Sequence, residues 1–160
     1  MSEEKLIDTM EKLLKLHRSL YELALKKTDI VKTGDIDALN QLIKDEQAHI
    51  AAIHKFEKER QQLARDLVPA IDQPTLADCI DASNVREKAT LSHLRTEMLE
   101  ITSKIRQRNE LNQQMLYQSL QFVNFSLNLI APRPESINYG PNAGKVKPSG
   151  YSTRLFNSKA

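Results

Sequence analysis

The residues best suited to chemistry are Glu46 and His49 in the segment "EQAH". On a helix this spacing sets a carboxylate and an imidazole on one face, as metal ligands require, and His54 follows close by. A di-iron helical bundle needs two Glu-x-x-His motifs and two further carboxylates. Only one such motif occurs here, so the pair reads as solvated or hydrogen-bonded polar side chains. His17 falls on an apolar seam, where a histidine with a local hydrogen bond is the ordinary outcome. Cys79, in "ADCID", has acidic neighbours that disfavour a thiolate. No glycine-rich phosphate loop, nucleophile elbow or paired-carboxylate cleft is legible, and no metal or cofactor is implied. The reading is a protein that is not an enzyme.

The elements around these residues are helical. Leu6, Met10, Leu13, His17, Leu20, Ala24 and Val31 recur at spacings of three and four, the seam of a packed helix. The pattern stops at "KTGDIDAL", where Gly34 suits a helix end and Asp35 the next N-cap. A second helix carries Ile36, Leu39, Ile43, Ile50, Ile53, Leu63 and Leu67 to one side. Glu46, Glu57 and Arg60 fall near that seam and predict imperfect or solvated packing there. Pro69 and Pro74 bracket a break, and "TLADCIDA" can form a short helical turn with Thr75 or Ser83 as N-cap. A third helix from about Asn84 repeats Leu91, Leu94, Met98, Ile101 and Ile105 in heptads. The phase then slips, bringing Asn109 and Asn112 near the core before Leu116, Leu120, Val123, Leu127 and Ile130 resume.

The expected fold is therefore all-α: three long antiparallel helices in an elongated, coiled-coil-like bundle, the third longest. Residues 1–132 form the bundle. Residues 133–160 form a flexible basic tail rich in Gly and Pro, expected to be disordered.

Composition narrows the function. The chain has 160 residues and a formal net charge of +2. Residues 131–160 hold five basic residues against one acidic, so the helical part is near neutral. The tail mixes Lys and Arg with Tyr151 and Phe156, but it is short and unrepeated, and nucleic acid is not an expected partner. The lone cysteine suits a reducing compartment, and "MSEEKLIDTMEKL" lacks an apolar signal core. No run of 18 apolar residues exists, so membrane insertion is not expected either. The reading is cytoplasmic.

One stretch departs from this charged background. "LNQQMLYQSLQFVNFSLNLIAP", residues 111–132, has no charged side chain in 22 positions, and seven are Asn or Gln. At 1.5 Å per residue the first two helices are about 50 Å long and the third about 70 Å. Helix three, running back along helix two, matches it by about residue 116. The residues from Tyr117 on then lack a complete set of neighbours. A stripe of Tyr117, Leu120, Val123, Leu127 and Ile130 left in this way marks an interaction site, and an amphipathic helix is its natural ligand. Amides suit such a groove because they hydrogen-bond without the desolvation cost of an ion, and Met115, Phe122 and Phe125 add adaptable contact area. Part of the stripe could equally pack internally or against a second copy of the chain.

With "KTGDIDALNQLIKDEQ" at the first turn, Arg60 late in helix two and "RNELNQQMLYQSL" in helix three, residues 6–132 resemble the FlgN-type flagellar export chaperones. The resemblance implies a cytosolic, non-enzymatic protein. Such a protein binds the C-terminal helical segment of hook–filament junction proteins, prevents premature assembly, and escorts them to the flagellar type III export apparatus. It implies a binding site on the last helix: Leu116, Leu120, Val123, Leu127 and Ile130, with Tyr117 beside them and Asn112, Asn124 and Asn128 as polar neighbours. The expected state is a monomer or weak homodimer. Competing readings are a coiled-coil adaptor with residues 111–131 as a permanent homodimer seam, and a metal-dependent four-helix enzyme formed by dimerisation.

Overall fold

No glycine or proline interrupts the first 33 residues, and they run as one helix, α1, Ser2–Thr33. The computed structural model describes residues 2–130; the expected tail, 133–160, lies outside them. At Gly34 the backbone takes φ +71°, a left-handed conformation open to glycine without a Cβ penalty. Its N–H still donates to Ile30 O at 3.0 Å, closing the last turn of α1. Asp35 then caps α2, Ile36–Leu67, its carboxylate accepting from Ala38 N at 3.0 Å. Val68 N–H donates to Ala64 O, and Pro69, which has no N–H, ends α2.

The three-helix expectation needs one correction. A fourth, short helix, α3, spans Leu76–Ala82 between the long ones. Of the two N-caps the sequence offered, Thr75 is used. Its hydroxyl accepts from Asp78 N, and the Asp78 carboxylate accepts from Thr75 N at 2.7 Å, a complete capping box. Ser83 instead ends α3, donating its hydroxyl to Cys79 O at 2.7 Å. This turn buries Cys79 and Ile80 against the bundle. The last helix, α4, runs Val85–Ile130.

Side-chain pairs between helices fix the directions. Lys27 meets Glu46 and Ser19 meets His49, so α1 and α2 are antiparallel. Glu3 accepts from Asn84, Arg18 pairs with Glu97, and Thr28 meets Asn112, so α4 runs parallel to α1. The core joins Leu6, Met10, Leu13 and Leu14 of α1 with Ala64, Cys79 and Ile80, and with Leu91, Leu94, Ile101 and Ile105 of α4. The predicted seams of α1 and α4 supply most of it.

The seam of α2 departs from the expected one at Ile36 and Ile50. Leu42 and Ala64 are its buried residues, whereas Ile36 and Ile50 are exposed. Ile36 opens the helix beside the Gly34 turn, and Ile50 lines a cleft of about 190 Å³ between α1, α2 and α4. The charges on this seam are compensated inside the fold. Lys27 of α1 meets Glu46 at 3.0 Å, and Arg60 grips Glu57 with two bonds of 2.9 and 2.6 Å.

The chain divides after Gln118. Residues 2–118 form the bundle just described, and residues 119–130 are the last part of α4.

Candidate partner-binding surface

The residues with catalytic potential are engaged structurally. Glu46 faces Lys27, and His49 donates from Nδ1 to Asp45 O at 2.8 Å while Nε2 accepts from the Ser19 hydroxyl at 2.7 Å. His17 donates from Nδ1 to Leu13 O at 2.7 Å, a local bond within α1. Among the described residues no group of three or more His, Cys, Asp or Glu could hold a metal ion. Burial is the main force pushing the Cys79 thiol up, with Asp78 adding to it and Arg60 opposing it. The thiol is therefore protonated at neutral pH. Hydrogen bonds from Arg60 hold the Glu57 carboxyl below the usual range despite its partial burial.

The uncharged stretch is continuous helix to Ile130, and its residues divide sharply in environment. Asn112 is fully buried within the bundle. Its Nδ2 donates to Ala24 O at 2.9 Å, and its Oδ1 accepts from the Thr28 hydroxyl at 2.6 Å. The slip of heptad phase thus places one amide in the core, while Asn109 stays exposed. The amide of Asn112 is spent between α4 and α1, so this residue sets the alignment of the helices rather than facing outward. Leu116 is half-buried along the cleft that Ile50 lines. Tyr117 is exposed.

From residue 119 on, the picture is different. Leu120 is 63% exposed, Val123 50%, Leu127 56% and Ile130 81%, and Asn124 and Asn128 are exposed as well. Three more large apolar side chains join them: Phe122, Phe125 and Leu129. A single heptad seam attends to one side of a helix, so it gives the two phenylalanines only as supplementary area and leaves out Leu129. Their signal in the sequence is the missing charge on the outward side. An ordinary surface helix carries Lys or Glu there, whereas 119–130 carries none anywhere. Among the described residues no helix is long and apolar enough to cross a membrane.

The fold and this surface define a class: an all-helical bundle whose last helix ends in exposed apolar side chains without charge. A family model described as FlgN protein matches residues 1–147, and the chain belongs to the FlgN family, a family of flagellar export chaperones. It is also 28% identical over 160 residues to the uncharacterized protein YvyG of Bacillus subtilis (strain 168), covering both chains in full. No solved structure matches significantly.

Proposed function

We propose that this protein is a cytoplasmic flagellar type III export chaperone that binds the C-terminal helical segment of hook–filament junction proteins. It keeps these subunits from assembling early and delivers them to the export apparatus. The observation that carries the reading is the exposed, uncharged apolar end of α4, in a chain of the FlgN family. Leu120, Val123, Leu127 and Ile130 are the docking side chains, with Asn124 and Asn128 as polar neighbours. Leu116 and Tyr117, which precede them in sequence, are further contacts. Asn112 acts from inside the bundle.

The mechanism is substitution of one apolar partner for another. A junction subunit's terminal helix is adhesive because it assembles through that surface, and the chaperone occupies the surface until export. Each exposed aliphatic side chain that becomes buried contributes about 1.5–3 kcal/mol. A few such anchors, less the cost of ordering, give a reversible complex of micromolar to nanomolar affinity, about −8 to −12 kcal/mol.

Calorimetric titration with the C-terminal fragment of a hook–filament junction protein tests this. Leu120→Asp with Leu127→Asp is expected to weaken binding by about 100-fold or more and to leave helix content and melting temperature unchanged, since both side chains are exposed. A folded wild type that does not bind, or one that is a concentration-independent dimer lost in the variant, would replace this reading with a homodimerising adaptor.

A further inference from the structure

The exposed end of α4 has two apolar faces rather than one. Successive residues of an α-helix are about 100° apart around the axis. On that wheel Leu120, Val123, Leu127 and Ile130 cluster on one side. Phe122, Phe125 and Leu129 cluster on another, about 150° away, and are 62–69% exposed. Between the two faces run polar seams without charge, one of Gln121, Asn124 and Asn128, the other holding Ser119 and Ser126. Neither face has the charged rim that marks the solvent side of a helix.

We infer that the bound client covers both faces, with two helical segments of one polypeptide packed on opposite sides of residues 119–130. This rests on the chaperone reading above and specifies the kind of client it takes. Area is the first argument. At exposures of 50–81%, each of these side chains still has roughly 100–130 Å² to bury, so either face supplies roughly 400 Å². A stable complex needs about 800 Å² from each partner, which takes both faces together. A single docked helix would bury half of that and leave the other face in water.

Symmetry is the second argument, and it sets aside a second copy of the chain. A two-fold pair buries the same patch on both partners. Two chains joined aliphatic face to aliphatic face would still expose Phe122, Phe125 and Leu129, and the converse pairing would expose the other set. Joining unlike faces makes a head-to-tail contact, which ends only if several chains close a ring and otherwise propagates into filaments. A client with two amphipathic segments covers both faces and terminates there. The amide seam can hydrogen-bond to either segment without selecting a charge.

The test uses the full chain and the C-terminal fragment of a hook–filament junction protein. The aliphatic-face variant, Leu120→Asp with Leu127→Asp, is compared with the aromatic-face variant, Phe122→Asp with Phe125→Asp. Both are checked for unchanged helix content. Each is expected to bind at least tenfold more weakly than wild type. Thiol labelling of Val123→Cys and Leu129→Cys gives a second readout, because Cys79 is fully buried and contributes no background. Client is expected to protect both introduced thiols. Loss of binding in only one variant, or protection of only one thiol, overturns the two-faced client and leaves the chaperone reading intact. Absence of binding by the wild type overturns both. Protection of Leu129→Cys before client is added also overturns the inference: release by truncation after residue 134 assigns the face to the chain's own tail, and release by dilution assigns it to a second copy.

Discussion

Replacing Thr28 by Val probes the amide that Asn112 places in the core. The Thr28 hydroxyl donates to Asn112 Oδ1 at 2.6 Å, and both side chains are buried. Val has nearly the shape of Thr and lacks the proton, so the change leaves a buried acceptor without a donor. That costs about 1–3 kcal/mol. The reverse change, Asn112→Leu, leaves less unsatisfied. The Thr28 hydroxyl lies 3.2 Å from Ala24 O and can donate there instead. The lost bond from Asn112 to Ala24 O is offset in part by the added apolar contact, so Asn112→Leu is expected within about 1 kcal/mol of wild type. Making both changes leaves no orphan. The double variant should therefore be more stable than Thr28→Val alone, with a coupling of about 1–3 kcal/mol between the sites. Urea unfolding followed by helical circular dichroism measures all four proteins, and Thr28→Val should melt about 3–10 °C below wild type. Additivity within about 0.5 kcal/mol would refute the reasoning, since the amide would then be satisfied by water and the clamp would contribute nothing. The clamp also bears on alignment: a one-turn slip of α4 along α1 would bury the amide without its partners, as a single core Asn does in fixing coiled-coil register.

Two further tests address the turns. Gly34→Ala meets no atom within 4 Å of the added Cβ, so its cost should come from the left-handed backbone alone, about 1–2 kcal/mol; Gly34→Asn should recover part of this in the same unfolding assay. At α3, Thr75→Ala removes one half of the capping box and should cost about 1 kcal/mol. The bonds from Thr75, backbone first, hold the Asp78 carboxyl below its ordinary 3.8. A carboxyl with a depressed folded value contributes stability above its unfolded value and loses it as pH falls through the folded one. Thermal melts across the acid range should therefore show wild type losing this increment below pH 3.8, and Asp78→Ala should lack that part of the acid dependence.

Much of the fold was legible because it depends on local features. The three-and-four spacing of Leu6, Met10 and Leu13, the heptads of Leu91 to Ile105 and the Gly34–Asp35 turn each act through nearby residues, and the structure uses all of them. The α2 seam differs from expectation at Ile36 and Ile50 because α2 is rich in apolar and small residues on more than one side. Which side faces inward depends on the two helices it meets. The choice of Thr75 over Ser83 as N-cap likewise followed from where α3 packs, since either residue has a suitable hydroxyl.

The binding surface divides along the same line. Sequence by itself determined that residues 111–130 are helical and without charge, because both properties belong to the residues and their order. Only the tertiary structure decided which of them are enclosed. Asn112 is buried because Thr28 and Ala24 of α1 lie against it, while Leu120, Phe122, Leu127 and Leu129 remain open to solvent. An amide and a leucine carry no record of their exposure, which depends on what a distant part of the chain places beside them.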